Sequence, residues 1–132
     1  MSFMAAIPVL DRLIPGLAVV YLYGSEARGD ARFDSDVDLA ILADRPVEIS
    51  ALSDAREAIE LVLGRDVDLV DMATAPLTLA RQVLIAGRRL AARDPFAADL
   101  FEVRLMREYA DLKQRRTGIE SDIRARGAVY AA

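Results

Sequence analysis

The sequence contains no cysteine and no histidine among its 132 residues. Without cysteine, the chain can form no disulfide, thiolate nucleophile, iron–sulfur cluster or cysteine-based zinc site. Without histidine, it lacks the usual general base and the usual ligand of soft metals. Any catalysis must therefore rest on carboxylates, hydroxyls, arginines, backbone amides and a bound ion.

Long apolar runs and an excess of positive charge are also missing. The longest apolar stretch, residues 13–23, is too short to cross a bilayer and contains Pro15 and Gly16. The N-terminal segment has no basic leader and is interrupted by Asp11 and Arg12, which is not typical of a signal peptide. The net charge of −4 argues against a general nucleic-acid-coating protein. We therefore expect a cytoplasmic protein with no membrane association and no direct nucleic-acid binding.

The composition that remains is typical of a single globular domain, with 54% hydrophobic and 29% charged residues. Hydrophobic periodicity predicts an α/β fold in which strands and helices alternate along the chain. The predicted strands are residues 18–23, 36–42, 65–71 and a short edge strand at 88–91. The predicted helices are residues 3–14, a short turn at 26–28, and residues 50–63 and 76–86.

A long C-terminal helix is predicted to start at Pro95, with Asp94 as its cap, and to run to about Gly118. We therefore expect a domain of residues 1–117 and a C-terminal tail, residues 118–132, that is either flexible or docks on a partner. The long helix has one apolar side, which is either core or a docking face, made of Phe96, Leu100, Val103 or Leu105, Tyr109 and Leu112.

The most informative stretch is residues 21–42, in which Gly24-Ser25 is followed after ten residues by Asp36-Val37-Asp38. Side chains alternate faces along a strand, so Asp36 and Asp38 should point the same way. Two carboxylates beside a buried strand repel each other and lose hydration, which is costly unless a cation lies between them. Both could instead be structural residues of a turn.

A third acidic side chain, Asp68, interrupts an otherwise apolar predicted strand, where an unpaired aspartate is expensive. If that strand pairs beside the strand of Asp38, the two carboxylates share one face with Asp36. Three carboxylates without histidine or cysteine favour oxygen ligation and hence Mg²⁺ or Mn²⁺. The alternatives are that Asp68 faces water from an edge strand, or that Asp66 takes its role.

The Gly24-Ser25 pair could be a simple turn or a phosphate-binding bend. Backbone amides and the Ser25 hydroxyl could hold phosphate oxygens while the carboxylates hold the metal that bridges them. Arg28 could neutralise phosphate or could be an ordinary surface arginine. This set of residue types favours metal-assisted phosphoryl or nucleotidyl transfer, in which Asp68 lies near the attacking hydroxyl.

The string GSEARGDARFDSDVDLAIL, residues 24–42, resembles the minimal nucleotidyltransferases of the DNA polymerase β-type superfamily, the antitoxin partners of HEPN-domain ribonuclease toxins. The resemblance continues through Asp68, at the position of the family's third carboxylate. It implies a small mixed sheet flanked by helices, ATP and Mg²⁺ as cofactors, and transfer of AMP to a tyrosine of a HEPN toxin in a hetero-oligomer. By the same resemblance, Asp36, Asp38 and Asp68 are the metal ligands and Gly24-Ser25 holds phosphate.

Two other functions remain open at this point. The same fold could transfer a nucleotide to a small molecule such as an aminoglycoside, or the chain could be an antitoxin that acts by binding alone. After the third predicted strand, the chain has only two helices and a tail, which is little structure for holding a small-molecule acceptor. A protein acceptor that brings its own surface fits this small size better.

Overall fold

The computed structural model describes residues 2–32 and 35–130, with side chains described up to residue 125. A short 3-10 helix, Phe3–Ala5, leads into α1 (Ala6–Leu13), which is followed by β1 (Leu17–Tyr23), α2 (Gly24–Arg28) and β2 (Val37–Ala43). The chain continues through α3 (Ile49–Leu63), β3 (Val67–Asp71), α4 (Leu77–Ala86), β4 (Arg88–Ala92) and α5 (Pro95–Tyr130).

The strands form one mixed sheet in the order β3-β2-β1-β4. β1 is antiparallel to both β2 and β4, and β2 is parallel to β3. Antiparallel neighbours can be joined by short turns, whereas the parallel pair needs a crossover, which α3 supplies. The predicted mixed sheet and its edge strand at residues 88–92 are therefore confirmed.

Helices cover both faces of the sheet. One face packs against α1 and α3, where Leu10 and Ile59 are fully buried against side chains such as Leu39. The other face packs against α4 and α5 through Val83 and Leu105. Each fully buried aliphatic side chain contributes on the order of 1.5–3 kcal/mol, so the sheet is fixed from both sides.

The long helix differs from the prediction at its C-terminal end. Asp94 caps it as expected, since its Oδ1 accepts a hydrogen bond from the Ala97 amide at 3.1 Å. However, α5 does not stop near Gly118 but continues to Tyr130. A single glycine inside a helix costs only about 1 kcal/mol and does not by itself end one. The role of residues 118–132 stays a prediction, and residues 131–132 lie outside the described part of the chain.

The apolar residues predicted for one side of α5, as either core or an exposed face, divide between the two. Ala98 and Leu105 are buried against the sheet, whereas Phe96 is 77% exposed and Val103 is 57% exposed. The sequence has apolar residues on two sides of this helix, and periodicity alone did not show which side packs inward. Within residues 2–32 and 35–130, no helix is both long enough and apolar enough to span a membrane.

Candidate active site

The predicted site residues lie at one end of the sheet, where β1 ends and β2 and β3 begin. Tyr23, the last residue of β1, is paired with Asp38 of β2. Asp38 is in turn paired with Asp68 of β3. Residues paired across neighbouring strands project from the same face of a sheet, so these three side chains form a row. The row lies on the face covered by α4 and α5, since Tyr23 belongs to that part of the core.

The electrostatics of Asp38 show that the acidic side chains are close together. Burial is the largest cause of a raised pKa at the Asp38 carboxyl, and the negative charges of Asp68 and Asp36 raise it further. The positive charge of Arg28 acts in the opposite direction. The pairing of β2 with β3 on which the prediction depended is therefore present, and the charges of Asp36 and Asp68 both act on Asp38 at one end of the sheet.

Tyr23 is a neighbour of this site that the sequence analysis missed. Burial raises the pKa of its hydroxyl well above the usual range, and the charges of Asp68 and Asp38 raise it further. The hydroxyl therefore stays protonated at neutral pH and can act as a donor beside the carboxylates. The available signal was its position, because Tyr23 ends an apolar strand directly before Gly24.

Gly24 brings the backbone against Asp38. Its φ is +70°, in the left-handed region, and a Cβ built there would lie 2.0 Å from Asp38 Oδ2. Both the conformation and the missing side chain are therefore required for the approach. The bend after β1 therefore lies directly against the carboxylate of Asp38.

Ser25 and Arg28 lie in the short helix that follows this bend. The Ser25 carbonyl accepts hydrogen bonds from the amides of Gly29 and Asp30, which close the helix. The Arg28 Nε lies 3.3 Å from Asp30 Oδ2, and half of its side chain is exposed. Arg28 is thus a surface arginine whose charge still acts on Asp38.

The two alternatives for the third carboxylate can now be compared. β3 is an edge strand and Asp68 is exposed, as the water-facing alternative required. Asp68 nevertheless lies opposite Asp38, and its charge acts on both Asp38 and Tyr23. Asp66 lies before β3, is exposed, and accepts a hydrogen bond from the Val37 amide through its carbonyl at 2.9 Å. Asp68 therefore fits the role better than Asp66.

The donor chemistry of the site suits a hard divalent cation. Among the side chains that the structure describes, no group of three or more acidic residues is arranged to hold a metal ion. Asp36 and Asp68 are exposed, so their carboxylates can rotate towards a cation beside Asp38. The mutual repulsion of these carboxylates is the condition that such a cation would relieve.

Comparison with known proteins gives the family of the chain. The sequence profile of the polymerase beta nucleotidyltransferase family matches residues 8–96. The protein adenylyltransferase MntA of Shewanella oneidensis is 33% identical over 125 residues, which is 95% of this chain and 89% of that protein.

Solved structures match over most of the chain. A crystal structure of a toxin–antitoxin with AMP-PNP contains a chain with 31% identity and a TM-score of 0.83, covering 93% of this chain and 98% of that one. A chain in the complex of a tri-AMPylated Shewanella oneidensis HEPN toxin with its MNT antitoxin has 29% identity and a TM-score of 0.75, with the same coverage. The family profile over residues 8–96 and the 33% identity to MntA show that this chain belongs to the polymerase β-type nucleotidyltransferases and, within them, to the minimal nucleotidyltransferase antitoxins.

Proposed function

We propose that this protein transfers AMP from ATP to a tyrosine hydroxyl of a cognate HEPN-domain ribonuclease toxin and thereby neutralises it. The observation that carries the proposal is the register of β2 and β3, in which Asp38 lies opposite Asp68 beside the Gly24 bend. Two relatives support the substrates, one a toxin–antitoxin with AMP-PNP and the other a complex that contains a tri-AMPylated HEPN toxin.

In this reaction, the tyrosine oxygen of the toxin attacks the α-phosphorus of ATP. A bond forms between that oxygen and phosphorus, the bond between the α-phosphorus and the bridging oxygen breaks, and pyrophosphate leaves. The hydroxyl proton passes to a base, for which Asp68 is our candidate because it is the exposed carboxylate opposite Asp38. The phosphates would be held at Gly24-Ser25, with Arg28 adding positive charge.

Mg²⁺ or Mn²⁺ would be held by Asp36, Asp38 and Asp68. When bound, such an ion neutralises phosphate charge and lowers the pKa of an attacking hydroxyl. The protein would work in the cytoplasm, as a hetero-oligomer with the toxin and without direct nucleic-acid binding.

The test is transfer of label from α-labelled ATP to the co-purified toxin in the presence of Mg²⁺. The wild-type protein should label the toxin on tyrosine and abolish its ribonuclease activity. The double variant Asp36→Asn, Asp38→Asn should still form the complex but transfer no label. If this variant neutralises the toxin as well as the wild type does, the protein acts by binding alone. If label appears on an aminoglycoside and not on the toxin, the small-molecule alternative is correct.

A further inference from the structure

Arg65 lies at the point where three segments of the site approach one another. Its guanidinium forms an ion pair through Nη1 with Oε1 of Glu26 in α2, and both side chains are largely buried, at 15% and 16% exposed. Its Nη2 donates a hydrogen bond to the Ser35 carbonyl at 2.6 Å. The Arg65 side chain thus contacts α2 and the residue before Asp36. Arg65 itself lies two residues before the start of β3.

These three segments carry the groups assigned to the reaction. Glu26 follows Gly24-Ser25 directly, Ser35 precedes Asp36, and Arg65 leads into the strand that carries Asp68. Among the hydrogen bonds and ion pairs that the structure describes, the contact between Arg65 and Glu26 is the one that joins α2 to the residues leading into β3. The guanidinium therefore adds a polar connection from α2 to a region where β2 and β3 are already paired and the Val37 amide donates to the Asp66 carbonyl.

The physical chemistry of the contact makes it sensitive to substitution. A planar guanidinium can serve two partners in fixed directions, which an ammonium group on a flexible stem cannot do. The Nε of Arg65 is buried and has no hydrogen-bond partner among the described atoms. Loss of either remaining partner would leave a largely buried charge poorly compensated, which is costly.

We infer that Arg65, paired with Glu26, is a positioning residue that holds the phosphate-binding bend and the approach to Asp36 in place beside Asp68. This inference rests on the proposed function. Arg65 need not contact the substrate, because its side chain acts through α2 and through the backbone of Ser35.

The test compares Arg65→Gln with Arg93→Gln in the complex with the toxin. Arg93 also forms an ion pair between elements, with Asp11, but its side chain is 50% exposed and it lies at the opposite end of the sheet. Amide hydrogen exchange without nucleotide reports the position of α2 directly. We expect Arg65→Gln to speed exchange in residues 25–30 and 35–38 by at least about tenfold, and Arg93→Gln to leave it unchanged.

Nucleotide kinetics provide the second measurement. Arg65→Gln should raise the KM for ATP by about tenfold with a smaller change in kcat, since the variant misplaces the phosphate-binding bend but removes no reacting group. Arg65→Lys keeps the charge and should fall between the wild type and Arg65→Gln. It also provides the exchange and kinetic data if Arg65→Gln does not fold.

The inference is overturned if exchange in α2 and the KM for ATP both stay within about twofold of wild type in Arg65→Gln, or if Arg93→Gln has an equal effect. A wild-type protein that transfers no AMP would refute the proposed function instead. In that case, the exchange data would still decide whether Arg65 holds α2.

Discussion

Two glycine–aspartate contacts lie at opposite ends of the same pair of strands, and only one of them belongs to the candidate site. Gly16 precedes β1 and would place a Cβ 2.2 Å from Oδ1 of Asp44, and Gly24 follows β1 and would place one 2.0 Å from Oδ2 of Asp38. Both glycines have φ near +70°. At both ends, a glycine with positive φ therefore packs against an aspartate carboxylate.

The difference is in what surrounds each carboxylate. Asp44 is exposed, lies 3.7 Å from the Arg45 guanidinium, and donates its amide to the Gly16 carbonyl at 2.9 Å. Asp38 is less exposed, and the charges of Asp68 and Asp36 raise its pKa. The close glycine–aspartate contact is thus part of a simple turn at one end. At the other end it adjoins a cluster of negative charge that Arg28 offsets only in part, because the net pKa shift of Asp38 is still upward, and a cation would relieve it.

The largest expected difference between the two ends is in AMP transfer. Loss of a residue that merely supports a metal ligand already costs about 10–100-fold, so loss of a direct ligand should cost more. We expect Asp38→Asn to lower the initial rate of toxin labelling by more than about 100-fold and Asp44→Asn to leave it within about twofold. Equal rates for the two variants would mean that the ends do not differ in function.

The second largest difference is expected between the activities of the Gly24→Ala and Gly16→Ala variants. Alanine at either position is strained by about 1–2 kcal/mol because φ is positive, so both variants should be destabilised to a similar degree in urea unfolding. Only Gly24→Ala also displaces a carboxylate assigned to the reaction, and misplacement of about 1 Å can cost on the order of 100-fold in rate. We expect Gly24→Ala to lose most of its activity and Gly16→Ala to keep it. Full activity in Gly24→Ala would show that the close approach to Asp38 is not needed.

In the absence of metal, the Asp38→Asn variant should be more stable than the wild type, although it should be far less active. Because the pKa of Asp38 is raised in the folded protein, ionisation of Asp38 opposes folding; the penalty is absent below its ordinary value of 3.8 and grows as pH rises through the native pKa. In EDTA at pH 7, Asp38→Asn should therefore be more stable than wild type, by about 0.5–1 kcal/mol. The gain should disappear as the pH falls towards 3.8. A destabilised Asp38→Asn protein at pH 7 would contradict the charge crowding described above.

The smallest effect is expected in the middle of the sheet. The Tyr21 hydroxyl donates to Oε1 of Glu102 at 3.1 Å and so connects β1 to α5. Glu102 keeps its ion pair with Arg89 when that hydroxyl is removed. We expect Tyr21→Phe to cost about 1 kcal/mol in chemical denaturation and to leave the rate of AMP transfer unchanged. A large loss of activity would show that Tyr21, in the middle of the sheet, also contributes to AMP transfer.

The sequence predicted β1 and β2 well because each is a short apolar run that begins and ends next to a glycine or an aspartate. The pairing partners were harder to foresee. Alternation placed Asp36 and Asp38 on one face, but the position of Asp68 depended on β3 lying parallel beside β2, which the periodicity of one strand cannot specify. The match in residues 24–42 pointed to the correct family before the pairing was known.

Contacts between side chains that are far apart in the chain could not be predicted from the sequence. Nothing local in Glu26 or Arg65 indicates that they meet, since Glu26 lies between Ser25 and Ala27, and Arg65 lies between Gly64 and Asp66, as ordinary charged residues. The sequence left open whether Phe96 lies in the core or on an exposed face, because the sheet and not the helix determines which apolar side of α5 packs inward. The passage of α5 through Gly118 was missed because one glycine was given too much weight as a helix end.

The most direct test of the central claim compares Asp68→Asn with Asp66→Asn in the rate of AMP transfer to the toxin. The two aspartates are close in sequence and both exposed, but only Asp68 is paired with Asp38. We predict a loss of more than about 100-fold for Asp68→Asn and a rate within about twofold of wild type for Asp66→Asn. An active Asp68→Asn protein, or an equal loss in both variants, would contradict a catalytic site built from carboxylates on one face of the sheet.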